Sequence, residues 1–340
     1  VYHSVRGIAI DEFHTIVYDF SVTHRSLPES AQDYRSGTRR AHMQFDAQCI
    51  ACLIQRQYRL TGAEPNDPTA LAFMKDVLQI MLNAPDGVSA PWCVPHFAKA
   101  FEKYYGVSDP YAQIKQTANA RALAMLPRVR AVVESADDPL KMALKFSRTG
   151  NYLDFAVLDA AKIDRELDDA IAATPDQPLN EAEYAHFADD LSRARTALIL
   201  CDNAGEIVFD RVLAEQLRRT FPALRILCAV RGGNAQNDAT REDALAAGMD
   251  SIAEILDNGS CIPATELAWC GGELRRAFDE ADVILSKGQA NFESLLGCGH
   301  NVYYLFLCKC SRLWRLLNAE PMQGIFLCEK RLHLPESALR

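Results

Sequence analysis

The sequence predicts an α/β protein in which a C-terminal Rossmann-like, three-layer α/β/α domain follows a mostly helical N-terminal domain. Three observations carry that expectation. Apolar residues recur at helical spacing through the first half of the chain, short continuous apolar runs replace them in the second half, and those runs alternate with polar segments. With 340 residues, 49% of them hydrophobic and 24% charged, the chain can bury one large core or two ordinary ones.

Residues 1–42 show little sustained periodicity, and Arg35-Ser36-Gly37-Thr38-Arg39-Arg40 has the character of a solvated linker. This stretch is expected to be an extension or linker, with Met43 a candidate natural start. Residues 43–190 form the expected helical domain. Cys49, Cys52, Leu53 and Leu60, then Leu71, Met74, Val77, Leu78 and Met81, fall at spacings that gather them on one helix face, and the pattern continues to about Leu126. A further helical stretch from about Asp138 to Asp169 is interrupted at Thr149-Gly150-Asn151, and Ala173 to Pro178 reads as a loop. Residues 191–340 form the expected α/β domain. Thr196 to Cys201, Arg225 to Val230, Asp282 to Ser286 and Val302 to Leu307 contain short apolar runs, as strands of a parallel sheet covered on both faces do. Right-handed crossovers are expected through helices such as Glu206 to Arg219.

The 36 Lys and Arg against 45 Asp and Glu give a formal charge of −9, which repels polyanions and argues against nucleic acid as a partner. A small phosphorylated metabolite remains compatible, because a local cation cluster or a bound metal reverses the field inside one cleft. No segment approaches the roughly 18 apolar residues of a membrane helix, and no signal-peptide pattern opens the chain. A cytoplasmic protein with no membrane partner is expected. The 11 cysteines are odd in number and dispersed, so most are expected to be reduced, buried small hydrophobes.

Ligands of an open parallel sheet bind beyond the carboxyl ends of its strands. Those positions are polar here: Asp202-Asn203-Ala204-Gly205-Glu206, Arg231-Gly232-Gly233 with Asn237-Asp238, Lys287-Gly288-Gln289, and Lys309. Asp202 and Asn203 offer hard oxygen ligands and Asp238 a third, leaving positions on Mg²⁺ or Mn²⁺ for water and substrate. Taken singly, each of the three reads first as a helix cap; together they favour a site. Arg231 beside two glycines suits a phosphate or carboxylate, or simply marks a loop. Lys287, after a buried strand, either meets an anion or snorkels outward. Dinucleotide, P-loop, nucleophile-elbow and zincin motifs are missing, which removes support from those enzyme classes. Cys49-Ile50-Ala51-Cys52 and Cys310 are either buried core thiols or a thiolate metal or redox site.

From Met43 to near its end the chain resembles the damage-control phosphatase family, also described as acidic-residue-methyltransferase-like. The resemblance is carried by Cys49 to Cys52, Asp109-Pro110-Tyr111 with Lys115, Gly150 to Phe155, Asp202 to Asp210, and Arg231-Gly232-Gly233. It continues through Asn237 to Thr240, Asp257 to Ser260, Lys287 to Glu293 and Lys309-Cys310. It implies a divalent metal (Mn²⁺, Mg²⁺, Co²⁺ or Ni²⁺) on Asp202, Asn203 and Asp238, and a substrate pocket lined by Glu206, Gln289, Asn291, Glu293 and Lys309, with Lys287 facing the phosphate. The C-x-x-C and Lys-Cys features are similar to the prokaryotic-type branch. The chain departs from the family at Asn234-Ala235, where a proline is common, and in residues 1–42, which have no counterpart.

The expected activity is metal-dependent hydrolysis of phosphomonoesters of small metabolites, sugar phosphates or damaged phosphometabolites, with Arg231, Lys287 and Lys309 stabilising the developing charge. Two rivals stand beside it. One is methyl transfer from S-adenosylmethionine to protein carboxylates, for which the usual Gly-rich loop is missing. The other is a non-catalytic phosphometabolite or thiol sensor built around Cys49, Cys52 and Cys310.

Overall fold

Among the described residues six short strands form one sheet in the order β3-β2-β1-β4-β5-β6: β1 Thr196–Leu200, β2 Arg225–Val230, β3 Glu254–Asp257, β4 Val283–Lys287, β5 Val302–Leu307 and β6 Gly324–Cys328. The first five run parallel and β6 closes the edge antiparallel to β5. The computed structural model describes residues 43, 45–85, 88–157 and 160–334, with the backbone alone for 154–166. The extension expected over 1–42 lies outside the described residues apart from its boundary at Met43.

Seven helices precede the sheet among the described residues: α1 Ala47–Thr61, α2 Pro68–Leu82, α3 Val94–Tyr105, α4 Ala112–Ser135, α5 Pro139–Thr149, α6 Ala160–Ala173 and α7 Glu181–Arg193. Their starts follow from capping chemistry. Asp46, Asp67, Asp138 and Asn180 each accept a first-turn amide proton, and proline at the first helical position of α2 and α5 loses no bond there. The break expected at Thr149-Gly150-Asn151 is real: α5 ends at Thr149 and Gly150–Val157 continues as 3₁₀-helix. Helices α1 to α3 gather around Phe73, Val77, Phe97 and Phe101 in a core cluster of their own.

The sheet carries five further helices: α8 Glu206–Thr220, α9 Arg241–Ala246, α10 Gly272–Glu280, α11 Gln289–Leu295 and α12 Ser311–Leu317. Side chains alternate across a strand, so Ala197, Ile199, Cys228, Leu285 and Leu305 share one face. There they join Leu126 of α4, Phe146 of α5 and Phe209 of α8 in the main core. On the other face Phe292 of α11 meets Tyr304 and Phe306 of β5 at ring distances of 4.9 and 5.3 Å. Both faces are covered, which is why the central strands are largely apolar, with the buried Ser286 and Lys287 of β4 as exceptions. The strand order reverses between β1 and β4, and a doubly wound sheet opens its ligand crevice at that point. No described helix is long and apolar enough to cross a membrane.

Candidate active site

The crevice is built from the chain just after β1 and β4, with the loop after β2 folded over it. At the end of β1 the chain turns through Asp202-Asn203 into α8, with Gly205 at φ 78°, where a Cβ would lie 2.9 Å from the Ala118 carbonyl oxygen. The 231–240 loop is zipped onto this turn. Ala239 N–H donates to the Asp202 carbonyl (2.8 Å), Ala204 N–H to the Asn237 carbonyl (2.8 Å), and an isolated bridge pairs Asn203 with Asp238. The backbone thereby sets Asp238 beside Asn203.

Asp202 is 9% exposed, and its Oδ2 accepts from the side-chain amides of Asn151 (3.0 Å) and Asn203 (2.8 Å). It nests against Gly288 at the start of α11. There φ is 79°, and a Cβ would sit 2.1 Å from Asp202 Oδ2, so only glycine leaves room for this carboxylate. Asp238 Oδ2 accepts from Arg231 Nε at 2.7 Å, and the guanidinium also donates to Asn291 Oδ1 (3.2 Å) and Thr265 Oγ1 (3.3 Å).

One cavity of about 470 Å³ is lined by Asp202, Asn203 and Asp238, by Gln289, Glu293 and Lys309, and by all three of Cys49, Cys52 and Cys310. Lys309 Nζ donates to the Asn151 carbonyl at 2.7 Å, and Gln289 Oε1 accepts from the Lys309 amide at 3.2 Å. Burial pushes the Glu293 carboxyl up to about 7 against the pull of Arg312. Burial also raises Cys49 to about 12 and moves Cys310 upward, so these two thiols are protonated at neutral pH.

Four residues singled out in the sequence stand behind this wall. Glu206, Arg231, Lys287 and Asn291 are all buried. Asn291 Nδ2 donates to the Lys287 carbonyl (2.7 Å) and the Cys201 carbonyl (3.2 Å), bracing the two strand ends. Lys287 Nζ donates to Glu206 Oε1 (2.6 Å), Asp210 Oδ1 (2.6 Å) and the Ser147 carbonyl (2.9 Å). Burial opposes the charge of Lys287, but the Asp210 and Glu206 carboxylates outweigh it and hold the ammonium above the ordinary lysine range. Burial in turn carries Asp210 up to about 6, against Lys287.

Sequence reasoning assigned no role to Asn151, Asp210, Ser147 or Asn237, nor to Arg56 and Arg312, which also line the cavity. For Asp210 a signal existed: it stands four residues after Glu206, which puts both carboxylates on one face of α8.

Among the described residues no three His, Cys, Asp or Glu side chains converge as a metal centre. The donors here are two carboxylates and one amide carbonyl on neighbouring loops, a hard-oxygen set that suits Mg²⁺ or Mn²⁺. The cradle that Gly288 leaves for Asp202 and the bridge that sets Asp238 beside Asn203 bring those donors to one cavity, and the residues fit such an ion.

Residues 45–324 match the family described as "Damage-control phosphatase ARMT1-like domain". The chain is 32% identical over 278 residues to a damage-control phosphatase of Archaeoglobus fulgidus, covering 80% of this chain and 95% of that protein. It is 28% identical over 229 residues to a damage-control phosphatase of Pyrococcus horikoshii, covering 66% of this chain and 76% of that one. The crystal structure of a DUF89 family protein from Pyrococcus horikoshii shares the fold, with a TM-score of 0.72 at 23% identity over 85% of this chain and all of that one.

Proposed function

Because the chain belongs to the damage-control phosphatase ARMT1-like domain family, we propose that it is a metal-dependent phosphatase hydrolysing phosphomonoesters of small metabolites. Sugar phosphates and damaged phosphometabolites are the substrate classes meant, in the cytoplasm, with no nucleic-acid or membrane partner. One observation carries the reading: Asp202, Asn203 and Asp238 open with Lys309 into a single cavity at the sheet's switch point.

Asp202, Asn203 and Asp238 would hold the cation, Mn²⁺, Mg²⁺, Co²⁺ or Ni²⁺. When bound, it supplies neutralisation of phosphate charge and polarisation of a phosphoryl oxygen. The chain does the rest. Asn151 and Asn203 orient the Asp202 carboxylate, and Arg231 fixes that of Asp238. Lys309, tethered through Asn151, offers positive charge to the equatorial phosphoryl oxygens. Leu53, Val94 and Trp314 give the cavity an apolar side that excludes water around the body of the substrate. Glu293 lines the same cavity, and burial raises its carboxyl to about 7.

The family match favours the phosphatase over either rival, although Cys49, Cys52 and Cys310 line the same cavity. A thiol sensor calls for stabilised thiolates, whereas burial keeps Cys49 and Cys310 protonated. The test is phosphate release from a panel of sugar phosphates by metal-stripped protein, with Mn²⁺, Mg²⁺, Co²⁺ or Ni²⁺ added back. Restored release that Asp202→Ala or Asp238→Ala lowers by roughly 10³-fold is expected, since several kcal/mol of charge stabilisation is lost. Folded protein that releases no phosphate with any of the four ions overturns the reading.

A further inference from the structure

Lys287 is the last residue of β4, whose end faces the crevice, yet its ammonium does not line the cavity. An ammonium has three protons to donate, and Glu206 Oε1, Asp210 Oδ1 and the Ser147 carbonyl take one each. Contact with a phosphate would cost it two buried ion pairs.

The second oxygen of Glu206 has a different task. Glu206 Oε2 accepts from Asn151 Nδ2 at 2.8 Å and from Asn203 Nδ2 at 3.2 Å. A carboxylate oxygen can only accept, so both amides must turn their NH₂ groups toward it and their carbonyls away. For Asn203 the carbonyl then points to Asn237 Nδ2, 2.8 Å distant, where Asn237 and Asp238 line the cavity. Orientation decides ligation here, because a hard cation is bound by the oxygen of an amide and repelled by its NH₂.

We infer that Glu206, anchored by Lys287, is a positioning residue that holds the orientation of the Asn203 amide together with Asp202 and so presents the third oxygen of the divalent-cation site. Lys287 acts through Glu206 and not on the substrate's phosphate. This inference rests on the metal reading of the site given above.

Glu206→Gln isolates the effect at nearly constant volume. To keep accepting from Lys287 the new side chain must turn its oxygen toward the ammonium, which leaves its NH₂ against those of Asn151 and Asn203. Asn203 Nδ2 still donates to Asp202 Oδ2 at 2.8 Å but then faces a donor in place of its second acceptor, which loosens the orientation the two carboxylates held together. The measurement is calorimetric titration of Mn²⁺ into metal-free protein, with a thermal melt to confirm folding. Glu206→Gln is expected to weaken Mn²⁺ binding roughly 10–100-fold, the usual cost of losing a residue that orients a ligand. The double variant Glu206→Gln with Asn203→Asp keeps the net charge, has no amide at position 203, and lets the new Gln donate to the new carboxylate. Its Mn²⁺ affinity is expected to return to within about threefold of the starting protein. Folded Glu206→Gln with unchanged affinity overturns the inference and leaves the metal reading intact. Should the single variant not fold, a folded double variant that binds no Mn²⁺ overturns it equally. Starting protein that binds none of the four ions removes the metal reading and the inference together.

Discussion

Gly288 is the residue at which backbone conformation and site chemistry meet most closely. Its φ of 79° disfavours any side chain, and the Asp202 carboxylate fills the space a Cβ would need. Gly288→Ala is expected to cost about 1–3 kcal/mol in backbone strain and to lower metal-dependent phosphate release more than tenfold by displacing Asp202. Urea unfolding and phosphate assays read the two effects separately, and unchanged turnover in folded protein would mean that Asp202 is not held by this cradle. Glu293 supports a second expectation, in pH. Its carboxyl is raised by burial from an ordinary value of 4.5 to about 7. As pH rises from 4.5 to 7 the unfolded chain ionises first, so this group's contribution to stability is full below that window and lost across it. Glu293→Gln should therefore gain in melting temperature on the starting protein at about pH 8 and scarcely at about pH 4.5. Ionised Glu293 also repels a phosphate in the same cavity, so KM should rise through pH 7 in the starting protein and stay flatter in Glu293→Gln. Residue types at strand ends were enough to nominate Asp202, Asn203, Asp238 and Lys309, because topology brings strand ends together. Depth was not legible. Nothing in the sequence distinguishes Lys309, whose side chain shares the cavity, from Lys287, which is sealed behind Glu206 and Asp210. That difference depends on two carboxylates on α8 and a carbonyl on α5 meeting one ammonium in space.

At the scale of elements, the runs expected as β1, β2, β4 and β5 all appear, since parallel strands covered on both faces are mostly apolar. The two edge strands escaped notice. β3 has four residues of mixed burial and β6 runs antiparallel after a tight turn, so neither shows the uniform apolar signature of a central strand. Helical periodicity in turn gave the α1–α3 stretch its faces but not its partners. Those helices close on Phe73, which meets Phe101, Tyr105 and Tyr104 at ring distances of 5.5, 5.9 and 6.3 Å. From α1 come Cys49, Cys52 and Arg56 of the cavity, whereas Asp202, Asn203 and Asp238 follow β1 and β2. Phe73→Ala should cost roughly 3–5 kcal/mol by opening that cluster. It should raise the substrate KM while leaving Mn²⁺ affinity close to that of the starting protein. Equal losses in both would show that the cation site depends on the α1–α3 cluster as much as the substrate wall does.

For the whole molecule, the cation donors tie together loops that are distant in sequence but share one core. Ile199 and Cys201 of the β1 segment, Cys228 and Val230 of β2, and Leu285 of β4 belong to the cluster that also takes in α4, α5 and α8. A ligand that binds only the folded arrangement stabilises it by mass action, by about 2.7 kcal/mol at a concentration one hundred times its dissociation constant. For a chain of this size each kcal/mol moves the midpoint by roughly 2–4 °C, so saturating Mn²⁺ should raise the melting temperature by about 5–10 °C over metal-stripped protein. Asp202→Ala or Asp238→Ala should remove most of that rise even where the metal-free midpoint is little changed. The α1–α3 cluster provides an internal contrast. Its core is separate and it supplies none of the three candidate ligands. If heating resolves two transitions, the one belonging to the sheet core should move with Mn²⁺ and the other should not. A rise of equal size in the Asp202→Ala protein would place the stabilising ion elsewhere and withdraw the thermodynamic support for this site, whatever its turnover.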